Sequence, residues 1–442
     1  MVITSKNAIS IIAFLILLVI FIGAFSSSYT SHNLTNLAYV LALGIDIGEN
    51  AKIKLTAQFT RSDSFSPSGS SSDESNNIIL ISGEADSIYS CLNLLNSYIG
   101  KEINLAHCSA VIFSEDFAKN GISAQIYSLL NNEEFRPTTN LIISTCPAYE
   151  YLSNVKPNLE KITTNYYATY EITNKFTGYF SNTTVGEFFN TLYGDFCDGT
   201  ATLGGLNASA RKEQEKSSDA ESSSDGSKDS QDSSQYISSE TDESVVTNPE
   251  ELIAGSSSIQ GKRGTENLGI AVFDNDKLRG KLTATEAICH LLIENDLDSF
   301  IASIDNPYTE NEKDKIELSI IPNKDSKFTV NIENGTPNIY LDINVQASIL
   351  TLEKDIEYEQ TSTLENFSDA TIDYLEKQFD NYFNKVSKEY GTDIDCFSYK
   401  ALSHFATKKD WENYNWNEKF KSAQFHTNVK VNVVSSQIIT KT

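Results

Sequence analysis

One stretch limits what this chain can fold into more than any other. From Asn207 to about Ile259 the sequence is reduced to Ser, Asp, Glu, Lys and Gly, with almost nothing apolar. Such a segment cannot bury enough surface to offset the entropy of ordering it. A disordered acidic linker is therefore expected over 207–262. It separates an N-terminal mixed α/β region, 31–206, from a C-terminal α+β domain, 263–442. A chain of 442 residues is in any case too long for one core. Twelve acidic and four basic residues stand between Ala210 and Glu251, a net −8 within a total of −26. The remaining −18 leaves no electrostatic footprint for nucleic acid. It would also repel an anionic lipid surface unless the chain were anchored.

An anchor is expected within residues 1–30. Ala8 to Phe25, AISIIAFLILLVIFIGAF, holds 18 residues and no charge. As a helix it would span about 27 Å, close to a bilayer core of roughly 30 Å. Its thirteen Ile, Leu, Val and Phe residues favour insertion by roughly 5 kcal/mol. Lys6 precedes the run and no Lys or Arg follows until Lys52. That asymmetry predicts a single transmembrane helix with its N-terminus in the cytoplasm and the bulk outside. A signal peptide cleaved after Ala24-Phe25-Ser26 is the competing reading. The first cysteine is Cys91, which argues against a lipid-modified cysteine just after the apolar run. The six cysteines include no C-x-x-C pair, so zinc spacing is absent, and their disulfide pairing stays open.

The flanking regions carry alternating and helical patterns. In Ala51 to Arg61, Ile53, Leu55, Ala57 and Phe59 face one way and Lys52, Lys54, Thr56 and Gln58 the other, as in a half-buried strand. LAYVLALGIDI reads as its hairpin partner, and SDSFSPSGSSSDESNN as a flexible loop. Helices are expected over Asp86–Ile99, over Glu115–Asn132 with a break at Gly121, and after Pro147. Strands are expected at HCSAVIFSE and TTNLIISTC. Strands alternating with helices imply mixed sheets with helices packed on them, an α+β class in two or three extracytoplasmic domains. In the C-terminal region, Ser362 to Tyr390 repeats apolar residues at threes and fours. Ser362 and Glu365 have capping-box spacing, and Gly391 stands where a helix stops. FHTNVKVNVV closes the sheet on which that helix should pack.

AVFDNDKLRGKLTATEA, Ala271–Ala287, tests the case for bound ligands. Asp274 and Asp276 fit the first acidic positions of a calcium loop, but Leu278 and Arg279 stand where an acid and a glycine are needed. The phosphate-loop pattern fails as well, because Gly280-Lys281 has no glycine five residues earlier. A hairpin turning at Asp274–Lys277 explains the stretch better, with Thr283 or Thr285 capping a helix over Ala284–Asn295. No H-E-x-x-H, G-x-S-x-G or Rossmann pattern occurs, and the five histidines share no ligand spacing. No catalytic, cofactor or metal residue is assigned. Trp411 and Trp416 are expected to anchor the segment before the last strand.

The order of these features resembles the Ger(x)C family, the C subunits of spore nutrient germinant receptors. The likeness is carried by LAYVLALGIDI, GKEINLAHCSAVIFSEDFAKNGI, RPTTNLIISTCPAYEYL, GIAVFDNDKLRGKLTATEA and the segment from DIDCFSYK to NVKVNVV. The resemblance marks Gly44, Asp46, Gly280, Leu282, Glu286 and Asp395 as family-motif positions, structural or at a partner interface. It implies a non-enzymatic subunit, without cofactor, assembled with polytopic A and B subunits in the spore inner membrane. The usual lipid-modified cysteine is missing, and the linker is unusually long and acidic. An unrelated anchored solute-binding or carbohydrate-active surface protein is the alternative.

Overall fold

The computed structural model describes residues 14–18, 21, 36–60, 78–155, 166–167, 169–194, 196–212, 249–259, 261, 263–309, 311, 314–351 and 360–434. Most of the apolar run before Phe25, the loop Ser62–Asn77 and residues 213–248 of the expected linker lie outside these residues. Among the described residues no helix is long and apolar enough to cross a membrane.

Nine strands form the first sheet: β1 (Leu37–Ile47), β2 (Ile53–Thr60), β3 (Ile78–Ala85), β4 (Glu102–Asn104), β5 (Ala110–Ser114), β6 (Asn140–Ser144), β7 (Thr200–Leu206), β8 (Thr265–Asp274) and β9 (Lys277–Leu282). Their order is β3-β2-β1-β5-β6-β7-β8-β9, with β4 beside β1. β1, β5, β6 and β7 run parallel, while β2, β3, β8 and β9 join through antiparallel pairs. On one face lie α1 (Ile88–Ile99), α2 (Glu115–Ala118), α3 (Ser123–Leu130) and α6 (Val185–Tyr193). On the other lie α4 (Ala148–Asn154) and the start of α5 (Tyr170–Thr177), with Tyr166 and Tyr167. Both faces are covered, so β2 departs from the half-exposed reading: Thr56 and Gln58 are fully buried. Tyr167 Oη donates to Gln58 Oε1 at 3.1 Å, and Thr56 Oγ1 lies 2.8 Å from Ser82 Oγ. The expected break at Gly121 separates α2 from α3, with a positive φ of 107° that favours glycine.

The second sheet has the order β10 (Phe300–Asp305), β11 (Lys315–Glu333), β12 (Thr336–Ile349), β13 (Gln424–Val434). Across it lie α7 (Ala284–Glu294) and α8 (Thr361–Phe383), the latter continuing as a π-helical turn to Tyr390 and ending at Gly391. Phe367, Leu375, Phe379 and Phe383 of α8 face the sheet, and Phe383 stacks on Phe425 at 4.0 Å. β13 closes the sheet, as its alternation indicates. The Ser362–Glu365 capping box is corrected: Gln360 stands at the N-cap, and its side chain makes no capping hydrogen bond. Three short helices, α9 (Ser398–Ala401), α10 (Lys408–Tyr414) and α11 (Trp416–Phe420), lead back to β13.

Two placements differ from the sequence reading. The hairpin β8–β9, grouped there with the C-terminal region, is hydrogen-bonded to β7 and completes the first sheet. Its alternation serves both cores: Ala271 and Phe273 pack in the first, Ile270, Val272 and Leu282 in the second. A strand between two cores is apolar on both faces and does not reveal in sequence which side owns it. Both ends of the expected linker are also folded. Asn207, Ala208, Ala254, Ser256 and Ser257 are buried. Gly255 N donates to the buried Glu266 Oε1 at 2.6 Å, and Asn207 N to the Gly264 carbonyl at 2.8 Å. The ends of this polar stretch are thus held by backbone hydrogen bonds that composition does not register.

Candidate functional site

The six motif positions fall into three groups in space. At the carboxyl end of β1, the buried Asp46 accepts from Ala148 N (2.7 Å) and Tyr149 N (3.1 Å). These are free amides of the first turn of α4, which a carboxyl group satisfies well. Gly44 lies one inward position earlier. A Cβ there would meet Leu152 Cδ1 at 2.9 Å and Ala148 Cβ at 3.1 Å. Both residues seat α4 on the sheet.

The second group joins the two halves. Gly280 on β9 leaves room for the Tyr390 ring; a Cβ would come within 2.5 Å of Cε1 and 2.7 Å of Cε2. Tyr390 Oη accepts from Lys281 N (3.3 Å) and donates to the Lys281 carbonyl (2.9 Å). It thereby occupies the hydrogen-bonding groups of a strand at the sheet's edge. Arg279 Nε donates to the Tyr390 carbonyl at 3.2 Å. Leu282 is fully buried in the second core. Glu286 completes a capping box with Thr283 and pairs with Lys385 on the π turn at 2.8 Å.

The third group is a buried polar cluster. Asp395 accepts from His290 Nδ1 at 2.8 Å and from Tyr382 Oη at 2.7 Å. Burial opposes charge on His290, but the hydrogen bond and the charge of Asp395 outweigh it and raise the imidazole pKa. Burial pushes the Tyr382 hydroxyl well above its ordinary range. Two residues earlier, Asp393 accepts from Phe397 N, Ser398 N and Trp416 Nε1 at 3.0, 2.8 and 2.9 Å. Burial still pushes its carboxyl up to about 8. Asp198 exchanges backbone bonds with Asp393, donating N–H to its carbonyl (3.1 Å) and accepting its N–H on Oδ2 (2.8 Å). Burial raises Asp198 to about 6. A Cys197–Cys396 disulfide and a Ser398 Oγ bond to the Phe196 carbonyl stitch the same seam.

Beside this cluster a cavity of about 980 Å³ opens between the amino ends of β5, β6 and β7 and the side of α7. His107, Arg136, Asn182, Asp198, His290 and Glu294 line it. Its lining mixes charges of both signs. Among the described residues no group of His, Cys, Asp and Glu could hold a metal ion.

The structure gives the β8–β9 hairpin more than a turn. Asn275 has a positive φ of 56°, as Asn at such a turn tolerates. The Asp276 carboxyl accepts from Ser123 Oγ (2.6 Å) and Ser123 N (3.3 Å), at the start of α3. It is a docking residue, not only a turn residue. Trp411 and Trp416 are largely buried in an aromatic stack, anchoring the approach to β13. The sequence reading missed His290, Tyr382, Asp393, Asp198 and Tyr390. The one available signal was the paired Cys-Asp neighbourhood, Cys197-Asp198 and Asp395-Cys396.

Residues 30–204 match a family model described as spore germination protein N-terminal domain. Residues 268–437 match one described as spore germination B3/GerAC like, C-terminal. A solved structure titled Crystal Structure of the GerBC protein shares the fold, at 14% identity and a TM-score of 0.50, covering 89% of this chain and 96% of that one. No curated protein sequence matches the chain.

Proposed function

Because the chain belongs to the Ger(x)C family of spore germination proteins, we propose that it is the C subunit of a nutrient germinant receptor. In this reading it is non-enzymatic and assembles with polytopic A and B subunits in the spore inner membrane. Ala8–Phe25 anchors it, N-terminus inward, and the folded halves lie outside. The observation that carries the proposal is the pair of family matches, which span both folded halves and meet across the acidic stretch.

The motif positions support a scaffolding role. Asp46 caps a helix, Gly280 admits the Tyr390 ring, and Asp395 is enclosed by His290 and Tyr382. We read them as residues that keep the two halves in one fixed relation, so that a composite surface is presented to the partner subunits.

A deletion strain tests the function. Its spores should lose nutrient-triggered germination, regain it with the wild-type gene, and respond normally to a stimulus that bypasses nutrient sensing. An unchanged response to every nutrient would overturn the proposal.

A further inference from the structure

We propose that the end of the first half carrying Leu94, Tyr98 and Lys101 sits in the bilayer interface, in contact with lipid headgroups and upper acyl chains. This inference rests on the anchored reading above and adds an orientation to it. α1 turns Ile88, Cys91, Leu92 and Leu95 into the first core. It leaves Leu94 49% and Tyr98 79% exposed, one helical turn apart. Gly100 ends the helix in the left-handed region, and the exposed Lys101 follows. An aliphatic side chain, a phenol and a flexible ammonium at one tip form the set that partitions to the membrane–water boundary.

The position of this tip supplies the partner. Glu102, next after Lys101, opens β4 and pairs in parallel with Leu37, the first residue of β1. The tip therefore lies beside the point where the chain leaves the folded unit toward its apolar run. Phe25 and Leu37 are separated by Ser26–Asn36, which spans at most about 40 Å even when fully extended. An anchored chain keeps this end of the sheet within that reach of the membrane.

Charge points the same way. The chain carries −26, so most of its surface is repelled by an anionic leaflet. α1 contains no charged residue at all, and the shallow groove beside it, lined by Ala85, Ser90, Asn93, Leu94, Asn96 and Ser97, is also uncharged. The helix is uncharged, and Lys101 beyond its cap is balanced by the exposed Glu102, so this tip carries no net charge to be repelled by lipid.

Tyr98→Cys and Ile47→Cys, each carrying an environment-sensitive fluorophore, separate the outcomes. Ile47 is 48% exposed at the opposite end of β1, about 33 Å from Leu37 along the strand. The full chain is placed in phosphatidylethanolamine–phosphatidylglycerol vesicles containing nitroxide-labelled lipid, and unsubstituted protein gives the blank for Cys146. The expected result is quenching at position 98 at least threefold stronger than at position 47, with blue-shifted emission. Equal, weak quenching at both positions in protein that floats with the vesicles overturns this inference alone. Protein that separates from the vesicles on flotation overturns the anchored reading and the orientation together. A label at 98 that is shielded only after the polytopic subunits are added assigns the tip to a protein partner and also overturns the proposal.

Discussion

Gly280→Ala is the sharpest probe of the seam. Its Cβ would lie 2.5 Å and 2.7 Å from two carbons of the Tyr390 ring. Reaching an ordinary contact requires the ring to retreat by about 0.9 Å or more, and overpacking of this kind costs about 1–3 kcal/mol. The retreat also stretches the two bonds between Tyr390 Oη and the Lys281 backbone, 2.9 and 3.3 Å long, worth roughly 1 kcal/mol each. The expected total is about 3–5 kcal/mol if both bonds are lost. Urea unfolding of the full chain in detergent, read by Trp411 and Trp416, measures it. In a Tyr390→Ala background the obstacle is gone, and Gly280→Ala should then cost less than about 1 kcal/mol. Such non-additivity is the signature of direct contact. An equal cost in both backgrounds would refute the contact, and with it the account of why glycine stands there.

Three further outcomes follow from the same geometry. Asp46→Ala removes the acceptor for Ala148 N and Tyr149 N and should destabilise the first half by about 1–2 kcal/mol in urea, whereas Asp46→Asn should lose less. The Cys197–Cys396 bridge closes a loop of 199 residues, on the order of 5 kcal/mol in the chain-entropy view. Reductant should therefore lower the melting temperature of the wild type and leave a Cys197→Ser/Cys396→Ser variant unchanged. Burial raises Asp198 to about 6 and Asp393 to about 8, above an unfolded value near ~4. Their contribution is thus fully present below pH ~4 and is lost as pH rises through 6 and then 8; Asp393→Asn should flatten the upper part of that decline in unfolding midpoint.

What the sequence disclosed, and what it hid, follows from the range of the interactions involved. β13 and α8 were legible because one face of each is buried against a single core, which imprints a clear period on Val429 and Val433 and on Phe379 and Phe383. A threonine cap before α7 was legible because capping is local, although the sequence left Thr283 and Thr285 as alternatives and the structure selects Thr283, with Glu286 completing the box. The ownership of β8–β9 was not, since both faces of β8 are buried and only the partner strand, β7, decides the sheet. The packed ends of the acidic stretch were hidden because they are held by the Glu266 carboxyl and by backbone groups, with only the small Ala208 and Ala254 buried and Ile253 packed beside the core. The cluster joins His290 to Tyr382 and Asp395, 92 and 105 positions later; no spacing rule reaches that far. Asp276 read as a turn residue because its partner, Ser123, stands 153 residues earlier.

Affinity purification of the tagged chain from detergent-solubilised spore membranes, followed by mass spectrometry, tests the receptor assignment most directly. The account predicts that one polytopic A-type and one transporter-like B-type subunit are recovered with it in comparable amounts, and that both are lost when the chain is untagged. Recovery of the chain from those membranes alone, under conditions that keep other germinant receptors intact, would contradict it.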